Sequence, residues 1–200
     1  EAFKPPERYT VSEWADRYRV LTNISAEPGR WRTARTPYLK EPMDKFTDPL
    51  IESISLCFGA QIGKTEAELN MIGYALHQTV SPTMMVYPTD TIAKFASDKR
   101  VQPMIRSVEP LADMYDESSK LLELDFVNGN YMVLVGANSP SSLSSRSIKY
   151  LFFDEIDKYP AFSGKEANPI KLAEERTKTF VDKKIVRVST PTIESGNIWQ

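Results

Sequence analysis

Leu56-Cys57-Phe58-Gly59-Ala60-Gln61-Ile62-Gly63-Lys64-Thr65-Glu66 runs from an apolar strand, through a glycine loop, into Lys-Thr at the head of a helix. That is the anatomy of a phosphate-binding loop. Ile51, Ile54, Leu56 and Phe58 make residues 51–58 read as a buried strand. Ala67, Leu69, Met71, Ile72, Ala75 and Leu76 make residues 66–78 read as a helix. Backbone N–H groups and a helix N-terminus together form an anion site, so a nucleotide triphosphate can sit there. Gly59, Ala60, Gln61, Ile62, Gly63, Lys64, Thr65 and Glu66 are the candidate nucleotide contacts. Lys64 would reach the β- and γ-phosphates, and the Thr65 hydroxyl would ligate Mg²⁺. The usual pattern places Gly where Phe58 stands, and here Gly59 comes one position later. A bland alternative is that Gly63 only turns a strand into a helix. The strand–loop–helix context weighs against it.

A second motif lies downstream. Ile148-Lys149-Tyr150-Leu151-Phe152-Phe153 is an apolar run that ends in Asp154-Glu155-Ile156-Asp157. Fully buried parallel strands have this composition. In open α/β sheets the ligand lies beyond the carboxyl ends of the strands, so these carboxylates would face the phosphates. Asp154 would hold Mg²⁺ through its water shell. Glu155 would orient and deprotonate the attacking water. Taken alone, Asp-Glu after a strand reads equally well as a solvated loop. The upstream phosphate loop decides between the two. Asp157 is either a supporting partner or exposed.

The third element is Lys184-Ile185-Val186-Arg187-Val188-Ser189-Thr190-Pro191-Thr192, a strand ending in small hydroxyls. In a parallel sheet its end lies at the same edge as the other two motifs. Ser189 or Thr190 could then hydrogen-bond the γ-phosphate or the attacking water. An ordinary turn with Pro191 stopping the strand accounts for the same residues.

Two hundred residues suit one domain with a sizeable core. A formal net charge of −2 lacks the overall basic bias of a dedicated nucleic-acid binder, so DNA would need a local patch or a neighbouring subunit. A single Cys, Cys57, excludes an internal disulfide framework and suits a reducing cytoplasm. With His77 as the only histidine, a structural zinc site is not expected. No apolar run is long enough to span a membrane as a helix, and no signal peptide opens the chain. The chain starts without Met and stops at Gln200, and reads as a fragment of a longer protein.

Residues 1–45 read as an N-terminal helical and basic segment packing on a core formed by residues 46–200. Thr10-Val11-Ser12-Glu13 has capping-box spacing and starts a helix through Trp14, Tyr18 and Leu21. Residues 83–87 read as a strand ended by Pro88, with Asp90 capping the next helix. Residues 121–126 and 131–135 flank Asn128-Gly129, a hairpin signal. Residues 140–145 are serine-rich and read as a mobile loop. Asn168-Pro169 starts a helix to about Phe180. Strands alternating with helices favour a largely parallel sheet covered on both faces, an α/β fold.

With these motifs in place, the chain resembles the N-terminal ATPase domain of a phage terminase large subunit of the lambda type. Carrying the resemblance are Ser12-Glu13-Trp14-Ala15, Glu27-Pro28-Gly29-Arg30-Trp31, Arg35-Thr36-Pro37-Tyr38, the loop from Gly59 to Glu66, the Asp154-Glu155 strand end and Ser189-Thr190-Pro191. It implies a P-loop NTPase of the RecA/ASCE-like class, with a mainly parallel central sheet flanked by helices. It also implies an ATP- and Mg²⁺-driven motor that moves double-stranded DNA into a procapsid in the cytoplasm of a bacterial host. Implied partners are a terminase small subunit, a portal protein and further copies of the chain in a ring. A C-terminal nuclease domain is implied too, and it does not fit within these residues.

Two departures stand out. Some relatives carry an Arg inside the phosphate loop, where this chain has Ala60 and Gln61. Arg146, just upstream of the acidic strand, is then a candidate arginine finger, in cis or on a neighbouring subunit. Pairing with a local acid is the alternative. Related motors often have Gln at the position of Leu39 to read adenine, and Leu39 cannot make that pair. Tyr38 could stack on the base, with Arg35 nearby, or pack on the sheet edge. Two other functions fit the same motifs: the first RecA-like lobe of a two-lobed helicase, with Pro88-Thr89 after the second strand, and a nucleotide-dependent assembly module without turnover.

Overall fold

A computed structural model of the chain describes residues 8–23, 25, 27–163, 168–192 and 196–199. Residues 1–7 of the expected N-terminal segment lie outside the described residues. The strands are β1 Val20–Leu21, β2 Gly29–Arg30, β3 Ser53–Cys57, β4 Thr83–Tyr87, β5 Glu123–Asp125, β6 Tyr131–Gly136, β7 Tyr150–Asp154 and β8 Lys184–Ser189. The α-helices are α1 Val11–Tyr18, α2 Lys40–Lys45, α3 Lys64–Gln78, α4 Asp90–Ala96, α5 Gln102–Ser107, α6 Glu109–Ala112, α7 Pro140–Leu143 and α8 Pro169–Glu175.

Six strands form one sheet in the order β3-β8-β7-β4-β6-β5. Only the β5–β6 pair is antiparallel. β3 carries the phosphate loop and β7 the acidic motif, yet they are not neighbours. β8 is inserted between them, pairing Leu56 with Val188 on one side and Asp154 with Val188 on the other. All three strand ends therefore open on one edge, where ligands of open α/β sheets bind.

Burial on both faces explains the uninterrupted apolar strands. Met85, Tyr87, Leu134, Phe152 and Val186 point into the core shared with α1, α2 and α3. Met84, Val86, Val135, Leu151, Phe153 and Ile185 point the other way, toward Leu143, Tyr159 and Ala173. That is the period-two alternation of a strand with both faces filled. Phe46, just after α2, stacks on Phe152 with ring centroids 5.7 Å apart and so ties the N-terminal segment to the sheet.

The capping chemistry of the first helix matches the sequence reading, but the helix stops at Tyr18, and Leu21 belongs to β1 instead. Thr10 caps α1, with the Glu13 amide donating to its hydroxyl and the Thr10 amide donating to Glu13 at 2.8 Å. Trp14 is fully buried against α3, and its indole N–H donates to His77 Nδ1 at 2.9 Å. The two helices approach closely at Gly73, where an added Cβ would fall 2.3 Å from Trp14 Cη2. Gly73→Ala should therefore destabilise the fold by about 1–3 kcal/mol in denaturant melts, although alanine is the better helix former. An unchanged midpoint would mean that Trp14 swings aside freely.

Three local expectations need correcting. Asp90 does not cap α4. Thr89 does, accepting from the Ile92 amide at 3.3 Å, because its extended backbone turns the hydroxyl toward the helix start. Asp90 instead accepts from the Gly136 amide at 2.9 Å. Residues 140–145 are not simply a loop: Pro140–Leu143 forms a helical turn, held by the fully buried Leu143. The helix after Asn168 ends at Glu175 rather than near Phe180, its last carbonyls taken up by turns at Arg176 and Thr177.

Candidate nucleotide site

The phosphate loop gets its shape from two residues with left-handed backbones, Gln61 at φ 59° and Gly63 at φ 86°. Turns of this kind gather successive backbone N–H groups into a concavity that binds anions. Gly63 suits a backbone that side chains rarely adopt, and an added Cβ would also press on Leu39 Cδ1 at 3.1 Å. Leu39, fully buried, thus braces the loop from behind, which is its part in place of base reading. At Gly59, by contrast, an added Cβ would meet nothing within 4 Å. No protein atom therefore crowds the displaced glycine.

Lys64 is buried at 7 % exposure, and its ammonium lies between two partners from different strands. It donates to Thr190 Oγ1 at 2.7 Å and stands 3.2 Å from Glu155 Oε1. Glu155 sits at φ 52°, so the chain turns sharply at the end of β7 and brings this carboxylate back over the loop. Lys158, one 3₁₀ turn on, pairs with its other oxygen at 3.1 Å. Burial alone would raise the Glu155 carboxyl, but Lys158 and Lys64 together hold it below its ordinary value.

Asp154 is buried, and one of its oxygens, Oδ1, has no hydrogen-bond partner. Burial first, and the neighbouring Glu155 second, push its carboxyl up to about 6, against the pull of Arg100 and Lys64. An orphaned carboxylate oxygen at a strand end beside a threonine-bearing loop suits a hard divalent cation that keeps most of its waters. Among the described residues no cluster of three or more acidic, His or Cys side chains forms an all-protein cage.

Ser189 is fully buried, donates to the Thr190 carbonyl at 3.1 Å and accepts from the Asp157 amide at 3.3 Å. The Phe58 amide donates to the Ser189 carbonyl at 3.1 Å, stitching the start of the phosphate loop to the end of β8. Asp157 is a supporting partner. Its carboxylate accepts from the Thr192 amide at 3.1 Å and the Ile198 amide at 2.7 Å. Tyr38 is half exposed, and its hydroxyl donates to the Ile62 carbonyl at 3.0 Å, so the ring stands at the loop and not on the sheet edge. Arg35 pairs with Glu27.

Arg146 does not join this site. It pairs with Glu123 at 2.6 Å and lies over the Tyr131 ring, beside β5 and β6 at the far end of the sheet from β3. Several strand widths of about 4.8 Å each separate it from the loop, which removes action in cis.

Four residues here carried no clear sequence signal. Glu68 is fully buried, with neither carboxylate oxygen partnered, and burial holds its carboxyl well above the ordinary value, with Asp154 and Glu155 adding to the rise. One turn after Lys64 on an apolar helix face, a charged residue is the only trace it leaves in the sequence. Lys158, beside the acidic motif, has the look of an ordinary solvated lysine in the sequence, yet it pairs with Glu155. Arg19 is buried and pairs with Glu66 at 2.8 Å. Arg100 lines a cavity of about 410 Å³ with Arg19, Gln61, Thr65, Glu66 and Lys99.

The family model described as "Phage terminase large subunit gpA, ATPase domain" matches residues 25–200. The large terminase subunit of Enterobacteria phage P21 is 25% identical over 198 residues, covering 96% of this chain and 30% of that protein. The chain therefore spans less than a third of the length of that relative. Among solved structures, the HK97 bacteriophage large terminase superposes with a TM-score of 0.74 at 14% identity, over 95% of this chain and 39% of that one. The large terminase ATPase domain of Thermus phage P74-26 gives 0.57 at 18% identity, over 72% of this chain and 61% of that one. At such identities the structures speak for the fold alone, the α/β fold of terminase ATPase domains. The family match over residues 25–200, on a chain whose sheet edge brings Lys64, Glu155 and Thr190 together, leads to one conclusion: this chain belongs to the ATPase-domain family of phage terminase large subunits.

Proposed function

We propose that this chain hydrolyses Mg²⁺-bound ATP at the edge where β3, β7 and β8 end, and that the hydrolysis moves double-stranded DNA into a procapsid. The carrying observation is that Lys64 bridges Glu155 and Thr190, so one ammonium senses the water-activating carboxylate and the end of the inserted strand together. In this reading the backbone from Gly59 to Glu66 cradles the phosphates and Tyr38 takes the base. Thr65 and Asp154 hold the metal, which neutralises phosphate charge. Glu155 takes the proton from the attacking water. Ser189 and Thr190 carry the change at the γ-phosphate into β8. Family membership supports this reading over a helicase lobe, and a candidate general base supports it over an assembly module without turnover.

The motor would work as a ring of copies at the portal in the bacterial cytoplasm, supplied with DNA by a small subunit. Arg146 would then act on a neighbouring copy, for its own site is out of reach. Arg146→Ala should lower hydrolysis by ~10³-fold in the assembled motor and leave the isolated chain at its own rate. Equal rates in the assembled motor would remove Arg146 from the mechanism. The larger reading is tested by incubating the full-length large subunit with procapsids, DNA and ATP, then measuring DNA protected from added nuclease. Protection that is equal with and without ATP would overturn it.

A further inference from the structure

The phosphate loop of this chain lacks its own arginine, but the cavity beside it does not. The cavity of about 410 Å³ opens next to Thr65 and Gln61, and three cations line it. Arg19 is matched by Glu66 at 2.8 Å and Lys99 by Asp98 at 2.8 Å. Arg100 has no carboxylate within ion-pair distance among the described residues. Its charge nonetheless reaches the carboxyls of Asp154 and Glu68, both of which it pulls downward. An exposed guanidinium with no ion-pair partner among the described residues, on the same cavity as Thr65 and within electrostatic reach of the buried Asp154, is free to meet an anion.

Arg100 sits on a backbone irregularity. Between α4 and α5 the helix widens into a π turn over Ser97–Val101, with the Gln102 amide donating to the Ser97 carbonyl five residues back. The cause is in the sequence. Pro103 has no N–H for the Lys99 carbonyl, and in a regular α-helix its ring would collide with that carbonyl. The buried Ser97 secures the turn by donating to the Leu121 carbonyl. Widening the helix at this point shifts the side chains after it around the axis, and such turns recur at functional sites.

We propose that Arg100 is the arginine this chain supplies in cis to the terminal phosphate of its own bound ATP, stabilising the charge that develops there during hydrolysis. This rests on the nucleotide site described above. It is distinct from Arg146, which serves another copy. The guanidinium carries no proton in or out. It donates hydrogen bonds to phosphate oxygens as the bond to the leaving ADP breaks and water attacks.

The test uses the full-length large subunit and its Arg100→Ala and Arg100→Lys variants. Affinities for Mg·ADP and for Mg·ADP with aluminium fluoride, which stands in for the transferring phosphoryl group, are measured beside single-turnover hydrolysis and melting temperature. Arg100→Ala should bind Mg·ADP as the parent does and melt at the same temperature. It should bind the aluminium fluoride complex, and hydrolyse ATP, about 10²-fold less well. Arg100→Lys should recover part of the loss, since it restores charge without the planar fork. Hydrolysis by Arg100→Ala at the parent rate, or an equal loss of affinity for both ligands, would overturn the role. Lys64→Ala serves as the control for the site: if it binds Mg·ADP normally, the nucleotide reading fails first. If only Arg100→Ala behaves as the parent, the reading stands and this role falls.

Discussion

Lys64→Ala should abolish ATP turnover, with a loss of at least ~10³-fold in rate and a clear loss of nucleotide affinity. The substitution removes the one buried ammonium that lies between the carboxylate of Glu155 and the hydroxyl of Thr190. It also takes away one of the cations whose charge offsets the carboxyls of Glu68, Asp154 and Glu155. Breaking a buried ion pair by deleting one partner strands the other charge. The variant should therefore melt below the parent when no nucleotide is present. Fluorescent-nucleotide titration, steady-state hydrolysis and melting curves together check this. Parent-like turnover would show that the anion site lies elsewhere.

Glu155→Gln should separate binding from chemistry. Glutamine keeps the length of the side chain and cannot take a proton, so hydrolysis should fall by ~10²–10⁴-fold while ATP binding persists. Because Lys158 and Lys64 hold the Glu155 carboxyl below its ordinary value, the parent base stays ionised across neutral pH. Its rate should not drop on mild acidification through protonation of this group. The left-handed backbone at Glu155 is the same burden for either residue, so the variant should fold. Trapped ATP in a filter-binding assay, with no phosphate released, is the expected pattern. Phosphate release at the parent rate would remove Glu155 from the water-activating role.

Much of this was legible because strands and loops announce themselves locally. The run at 83–87 is five apolar or β-favouring residues closed by Pro88, and β4 has those bounds. Asn128-Gly129 signalled a hairpin, and Gly129 takes the positive φ that such a turn needs. The Lys64, Asp154-Glu155 and Ser189-Thr190 stretches were recognisable because each couples a strand end to polar groups. Strand order was not legible. Nothing within residues 184–189 says that this strand slots between β3 and β7, since that is settled by long-range pairing of faces that look alike in sequence. Glu68 hid for a related reason: an acid on a helix is ordinarily solvated, and only the packed sheet turns this one inward. Arg100 hid because an arginine on a helix is ordinarily a solvated surface charge, and only the fold brings it to the cavity beside Thr65.

The two ends of β8 carry a mechanical consequence. At one end Ser189 and Thr190 touch the phosphate loop and Lys64. At the other, the Lys184 ammonium donates to the carbonyls of Asp48 and Ile51. Six extended residues between them measure about 20 Å, and both long edges are locked into neighbouring strands. A strand so clamped cannot shorten or buckle. As a pushrod would, it joins the phosphate-loop end of the sheet to the segment ahead of β3, so a displacement at one end would be passed to the other. Load applied there would be felt, by the same linkage, as a change in grip on the phosphate.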